Sequence, residues 1–136
     1  MKRTASAHWE GDLKTGKGTL SSQSTILNKT QYSFKTRFED GAGTNPEELL
    51  AAAHAGCFTM AVSMLLGNDG FTATALDTTA TLTLEGLDVT GVHLSITGSV
   101  PGITKEKFEA AVKAAEVNCI ISKALKVAIT SDATLA

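Results

Sequence analysis

The segment that decides the fold is residues 45–68, which read NPEELLAAAHAGCFTMAVSMLLGN. Asn45 suits the N-cap of a helix, Pro46 its first position and Glu48 the N3 position of a capping box. The residues that follow are apolar on nearly every side as far as Gly67 and Asn68, where a helix can end. Because such a helix must be covered to be stable, we predict a central helix that lies inside the protein or inside a dimer.

The residues before this helix predict three strands. A polar, glycine-punctuated stretch over residues 5–22 indicates two short antiparallel strands. In residues 32–38 aromatic residues and a threonine alternate with polar residues, which indicates a half-buried strand with Arg37 on its polar face. Residues 40–43, Asp-Gly-Ala-Gly, then interrupt the pattern ahead of the helix.

The residues after the helix return to period two and then to helical spacing. Residues 71–100 predict two strands joined by a connection over residues 85–91. Thr104 is placed to cap a second helix, a further helical stretch follows over residues 120–125, and residues 127–135 close as a strand. The element order β-β-β-α-β-β-α-β predicts an α+β fold built in layers.

Composition limits the class of protein. The chain has 136 residues, of which 43% are hydrophobic, and this predicts one domain over residues 1–136 with its own core. A formal net charge of −2 offers no basic face, so we expect no nucleic-acid partner. Residues 4–10 lack the apolar run of a secretory signal, and polar residues interrupt the apolar stretch 49–66. We therefore expect a cytoplasmic protein that does not span a membrane.

Two cysteines, Cys57 and Cys119, are candidates for redox chemistry, and in the cytoplasm both are reduced by default. One interpretation is that each is a small buried hydrophobic residue, since free cysteine is among the most buried residue types. The other is a peroxidatic and resolving pair, in which one thiolate becomes a sulfenic acid and a second thiol condenses with it to a disulfide. The residue types alone leave both interpretations open.

An attacking thiol needs a neighbouring cation, a helix N-terminus or a hydrogen-bond donor, because at neutral pH a free thiol is mostly protonated. Arg37 is the natural cation, and Glu47, which has no capping duty, is placed to hold it. Ten residues of straight helix put Glu47 about 15 Å from Cys57. Either Arg37 bridges this gap, the helix restarts near Gly56, or a second subunit contributes.

Other chemistries have weak support in the sequence. His54 precedes Cys57 by three positions and could share its helix face, yet no oxyanion hole or orienting group for a cysteine hydrolase can be located. The histidines and cysteines show no metal-ligand spacing, and the glycines form no nucleotide-binding loop. We therefore predict neither a metal nor a cofactor.

Several motifs along the chain resemble those of the OsmC/Ohr family, and within it the osmotically inducible protein C branch. In the first half they are AHWEGD (7–12), GKGT (16–19), TRFE (36–39), GTNPEEL (43–49) and AAHAGCF (52–58). In the second half they are DTTA (77–80) and VPGI (100–103). The resemblance spans nearly the whole chain and is specific when the motifs are taken together.

The resemblance implies a thiol-dependent peroxidase of the oxidative or osmotic stress response. It would reduce organic hydroperoxides to alcohols, with Cys57 as the peroxidatic and Cys119 as the resolving cysteine, Arg37 activating the thiolate and Glu47 orienting Arg37. A dithiol reductant, with a lipoyl group as one candidate, would reduce the resulting disulfide. The implied fold is two-layered α+β, with antiparallel sheets around two central helices in an intertwined homodimer whose active sites lie near the interface.

One departure from the family pattern concerns the resolving cysteine. Relatives usually have Cys-Pro-Val-Ser there, whereas this chain has Cys-Ile-Ile-Ser over residues 119–122. Without a proline the backbone at Ile120 is not preset for a first helical turn. Two other hypotheses therefore stay open: a non-catalytic dimeric ligand-binding stress protein, and a redox sensor whose oxidation is coupled to a partner.

Overall fold

A computed structural model describes residues 1–136 and confirms the predicted α+β class. The strands are β1 (Ala5–Glu10), β2 (Lys17–Ser22), β3 (Thr30–Tyr32), β4 (Ala75–Glu85), β5 (Asp88–Ser99) and β6 (Ala128–Leu135). The helices are α1 (Phe34–Phe38), α2 (Pro46–Asn68), α3 (Lys105–Asn118) and α4 (Ile120–Ala124). The chain divides into two compact units, Met1–Leu49 and Leu50–Ala136, and the single domain over residues 1–136 stays a prediction.

The first unit contains an antiparallel sheet in the order β1-β2-β3, which confirms the predicted pair of strands over residues 5–22. Gly18 of β2 lies between the rings of Trp9 and Tyr32, whose centroids are 5.5 Å apart. A Cβ atom at position 18 would lie 2.5 Å from both rings. Only glycine therefore fits between these two aromatic side chains.

The predicted strand over residues 32–38 is wrong beyond Tyr32, because the chain turns into α1 there. Ser33 and Thr36 form a reciprocal capping box: the Ser33 hydroxyl accepts from the Thr36 N–H, and the Thr36 hydroxyl accepts from the Ser33 N–H. The rings of Phe34 and Phe38 lie 4.9 Å apart across one helical turn. Phe34 and Phe38 are four residues apart, a spacing that places two side chains on one face of a strand and also on one face of a helix. The alternation of aromatic residues therefore also fits a short helix.

The predicted start and end of the central helix are confirmed in α2. The side-chain oxygen of Asn45 accepts a 2.8 Å hydrogen bond from the Glu48 N–H, as an N-cap should. At the other end Gly70 has φ +85°, and the Phe71 N–H donates to the Leu66 carbonyl over 2.9 Å. A left-handed glycine just beyond a helix is a common way to satisfy its last carbonyls.

The second unit contains a mixed sheet in the order β4-β5-β6. β4 and β5 form the predicted antiparallel hairpin, although its turn is only Gly86 and Leu87, shorter than the predicted connection. β6 pairs parallel with β5, so this sheet is not purely antiparallel. Parallel neighbours need a crossover connection, and α3 and α4 supply it. The Thr104 hydroxyl caps α3 as predicted.

The core of the second unit is built from α2, β5 and α3. Its fully buried members include Phe58, Val62, Leu66, Leu94, Ile96 and Phe108. Each such side chain contributes about 1.5–3 kcal/mol through burial. α2 supplies only one of its faces to this core, with buried residues four positions apart from His54 to Leu66.

Part of the remaining surface of α2 is apolar and exposed in the single chain. Met60 and Met64 are 75% and 61% exposed. By length and composition alone α2 could cross a membrane, with 22% of an apolar 18-residue stretch within it buried, but core helices of soluble proteins pass the same test. Within the single chain α2 is therefore covered on one face, and the predicted alternative, cover inside a dimer, stays a prediction.

Candidate active site

Both cysteines of the second unit are free thiols and line one apolar cavity of about 410 Å³. Cys57 lies in the middle of α2 and is partly exposed, whereas Cys119 joins α3 to α4 and is 2% exposed. The side chains around them are Met60, Ala61, Met64, Asn118 and Ile120. The cavity therefore offers sulfur atoms and hydrocarbon, with little polar surface.

The Cys57 thiol is held in its neutral form within this unit. Burial raises its pKa, and the neighbouring Cys119 raises it further. The backbone N–H groups of Ile121 and Ile120 offset part of this, because donors to a sulfur favour the thiolate. None of these main causes is a cation.

The α2 helix runs without interruption past Gly56, so a helix restart at that residue is wrong. Cys57 therefore has no N-terminal amides of its own helix to stabilise a thiolate. Of the three solutions to the 15 Å separation set out above, those that remain are an Arg37 side chain that bridges the gap and a contribution from a second subunit.

Cys119 contacts Ser122, which in turn contacts His54, and sequence reasoning connected neither residue with it. Ser122 donates its backbone N–H to the Cys119 sulfur over 3.3 Å, and its hydroxyl oxygen lies 3.2 Å from the same sulfur. Nε2 of His54 lies 2.8 Å from the Ser122 hydroxyl oxygen. The sequence argument, in which His54 could share a helix face with Cys57, did not anticipate this serine, 68 positions away. The spacing Cys119-x-x-Ser122 is the spacing of an N-cap and its N3 residue, which was the available signal.

The first unit brings Arg37 of α1 together with Glu47 of α2. Nε and Nη2 of the guanidinium lie 2.9 Å and 2.8 Å from the same carboxylate oxygen, Oε1. The second oxygen, Oε2, is buried and has no hydrogen-bond partner. Glu48, in contrast, accepts a hydrogen bond from the Thr44 hydroxyl over 3.0 Å. The two neighbouring glutamates thus have different contacts, and only Glu47 holds the arginine.

Aromatic side chains surround Arg37 in a cavity of about 290 Å³. The cavity is lined by Trp9, Leu13, Tyr32, Ser33, Phe34, Arg37 and Phe38. The Arg37 guanidinium carbon lies 5.5 Å from the centroid of the Phe38 ring, within the range of a cation–π interaction. A carboxylate and an aromatic face therefore both orient this cation, while its side chain stays 45% exposed.

Comparisons with known proteins agree on one family. A family model described as OsmC-like protein matches residues 39–133. The chain is 47% identical over 136 residues to peroxiredoxin OsmC of Escherichia coli (strain K12), an alignment that covers 97% of this chain and 95% of that protein.

Solved structures show the same fold. An OsmC-like protein of unknown function from Vibrio cholerae O1 superposes with a TM-score of 0.74 at 16% identity, over 98% of this chain and 99% of that one. The organic hydroperoxide resistance protein OhrB of Bacillus subtilis superposes with a TM-score of 0.66 at 24% identity, over 98% of each chain. At these identities the two structures establish the fold alone.

Proposed function

This chain belongs to the OsmC-like protein family and is a peroxidase-type stress protein, and from that premise we propose that it reduces organic hydroperoxides with Cys57 and Cys119. The observation that supports the proposal best is that both free thiols line one apolar cavity, which has little other polar surface. Cys57 is the more exposed of the two and is assigned the peroxidatic role. A cytoplasmic location is part of the same proposal.

In the first step the Cys57 thiolate attacks the outer peroxide oxygen. The O–O bond breaks, the alcohol leaves with a proton, and Cys57 becomes a sulfenic acid. Since its own unit raises the pKa of Cys57, this step needs a cation from elsewhere. Arg37 is the assigned cation, and Glu47 keeps its guanidinium in one orientation.

A homodimer would bring the two pairs of residues together. The exposed apolar faces of α2 support this proposal, because an apolar helix of this length is stable when a partner covers it. Met60 and Met64 on those faces also line the cysteine cavity, so a subunit interface there would close over Cys57. In this arrangement the Arg37–Glu47 pair reaches Cys57 at the interface.

Both cavities suit an organic peroxide. The walls of the cysteine cavity are mainly methionine, alanine and isoleucine side chains, and the walls of the arginine cavity are mainly aromatic. Such surfaces bind the hydrocarbon part of a hydroperoxide, which hydrogen peroxide lacks. The substrate class is therefore assigned as organic hydroperoxides.

In the second step Cys119 attacks the sulfenic acid of Cys57 and forms an intramolecular disulfide, releasing water. A dithiol then reduces this disulfide by thiol–disulfide exchange. A small reductant of lipoyl type is assigned as a candidate, because the cavity beside Ile120 and Met60 is apolar. The cycle returns both cysteines to the free thiols seen in the structure.

One equivalent of cumene hydroperoxide added to the reduced protein tests this proposal. Free thiols are counted and the intact mass is measured without reductant. We expect the wild-type chain to lose both thiols and two hydrogens within one chain. Cys57→Ser should consume no peroxide, whereas Cys119→Ser should consume one equivalent and then stall or become overoxidised.

Both thiols persisting under a tenfold excess of peroxide would overturn the peroxidase proposal and favour the ligand-binding hypothesis. Full activity in Cys57→Ser would show that the peroxidatic residue is wrongly assigned. Oxidation that turns over only with a protein partner would favour the redox-sensor hypothesis.

A further inference from the structure

The resolving cysteine, Cys119, is the last member of a series of hydrogen-bonded side chains that the two-cysteine cycle does not use. The series runs from Nε2 of His54 to the Ser122 hydroxyl over 2.8 Å, and from there to the Cys119 sulfur over 3.2 Å. The Ser122 N–H reaches the same sulfur over 3.3 Å. The three side chains are buried, so bulk water screens these contacts little.

The burial of His54 determines which groups donate in this series of hydrogen bonds. Burial lowers the pKa of His54 below its ordinary value of 6.5, so the ring is neutral and carries a single N–H. Nδ1 is buried without a hydrogen-bond partner. An orphaned buried N–H is rarer in proteins than an unused acceptor, which assigns the hydrogen to Nε2. His54 then donates to the Ser122 oxygen, which leaves the Ser122 hydroxyl hydrogen free to point at the Cys119 sulfur.

We propose that Ser122, held by His54, accelerates the attack of Cys119 on oxidised Cys57. This role rests on the function proposed above. In this step the S–S bond forms and the S–O bond of the sulfenic acid breaks. The departing hydroxide takes the thiol proton of Cys119, so one water is released and no further oxidant is needed.

The hydrogen bonds act on the sulfur as it becomes a nucleophile. The N–H of Ser122 donates to Cys119, and once the sulfur loses its hydrogen the Ser122 O–H is the donor of the second contact. Such bonds strengthen when the acceptor gains negative charge. Ser122 is thus a catalytic residue for the second step, because it contacts a reacting atom. His54 is a positioning residue, since it fixes the rotation of the Ser122 hydroxyl.

A helix-capping role makes a different prediction. Cys119 is also the N-cap of α4, and its capping bond comes from the backbone N–H of Ser122. Removing only the Ser122 hydroxyl leaves that bond in place. A variant without the hydroxyl therefore tests the proposed effect on disulfide formation while the helix cap stays intact.

The test follows the two oxidation steps separately in the full-length reduced protein. One equivalent of cumene hydroperoxide is added, samples are quenched over time, and dimedone traps any sulfenic acid before mass analysis. In Ser122→Ala we expect loss of the first thiol at the wild-type rate, accumulation of dimedone adduct on Cys57, and disulfide formation about 10- to 100-fold slower. Ser122→Thr keeps the hydroxyl and should recover most of the rate.

Two further variants extend the test. His54→Leu should slow disulfide formation by a smaller factor than Ser122→Ala, and His54→Gln, which keeps an N–H, should recover part of the loss. Ser95→Ala is the matched control. Ser95 is an exposed serine whose hydroxyl donates to Asp132, which in turn bonds His93 in a separate network. This control should leave both steps unchanged.

The outcomes separate this inference from the function it rests on. Disulfide formation at the wild-type rate in Ser122→Ala, or equal slowing of both steps, overturns the inference alone. If Ser122→Ala does not fold, the rates of disulfide formation in His54→Leu and His54→Gln are compared instead. Equal rates in these two variants overturn the inference. A wild-type chain that forms neither sulfenic acid nor disulfide overturns the proposed function, and the inference with it.

Discussion

The residues around Arg37 and those around Cys57 differ in kind. Arg37 has a carboxylate, an aromatic face and an exposed guanidinium, but no thiol lines its cavity. Cys57 has a second thiol, hydrocarbon walls and two backbone N–H groups, and its pKa is raised by burial. One region supplies fixed charge, and the other supplies reactive sulfur.

This difference indicates how the protein could keep its thiols from reacting indiscriminately. A neutral thiol in an apolar cavity is a poor nucleophile until a cation stabilises its thiolate. In the proposed mechanism the charged region controls the first step, whereas Ser122 and His54 act on the second.

The largest effect is expected when Arg37 is replaced by alanine. A cation close to a thiol lowers its pKa by about 1–3 units, so Arg37→Ala should slow the reaction of Cys57 with cumene hydroperoxide about 10- to 1000-fold at pH 7. Stopped-flow measurement of thiol loss gives this rate. Lys35→Ala, which removes another exposed cation of α1, is the control and should react normally. If both variants behave alike, Arg37 has no specific role.

A smaller effect is expected from Ile120→Pro, which restores the residue usual in relatives. Proline removes the Ile120 N–H that lowers the Cys57 pKa, and it is tolerated at the first position of a helix. Because one such hydrogen bond contributes about 0.5–1.5 kcal/mol, peroxide reduction should slow about threefold to tenfold. Ile120→Ala keeps the N–H and serves as the control. A proline variant that reacts faster than Ile120→Ala would contradict this role of the N–H.

The smallest effect concerns stability and the charge state of His54. Its folded pKa lies below 6.5 while the unfolded chain titrates near the ordinary value. Protonation therefore favours unfolding: stability is complete above about pH 7 and decreases as the pH falls toward the folded pKa. Thermal unfolding of the wild type should show a lower Tm at pH 5 than at pH 7, by about 2–4 °C for each kcal/mol lost.

The His54→Gln variant separates this contribution from other acid effects. Its Tm should depend less on pH over the same interval, since glutamine does not titrate. Equal pH dependence in both proteins would show that His54 is not the group responsible.

Local chemistry determined much of the fold from the sequence. The Asn45 cap and the proline after it depend on neighbours in the chain, so the start of α2 could be predicted to the residue. The predicted end at Gly67 and Asn68 also agrees, although the left-handed glycine is Gly70. The hairpin of β4 and β5 follows from alternation in the same way. The strand predicted at Phe34 and Phe38 failed because a five-residue stretch fits both periods, and the capping box at Ser33 decided for a helix.

The sequence by itself determined which groups are available for chemistry: two thiols, and one arginine with a glutamate free of capping duty. It also predicted a helix too apolar to be left uncovered. Only the tertiary structure decided the neighbours of these groups. It joined His54 to Ser122 across 68 positions, brought the Ile120 and Ile121 backbone close enough to lower the pKa of Cys57 in part, and left one oxygen of Glu47 buried without a partner. The physical reason is that hydrogen bonds and desolvation depend on distances in space, whereas caps and periodic patterns depend only on distances along the chain.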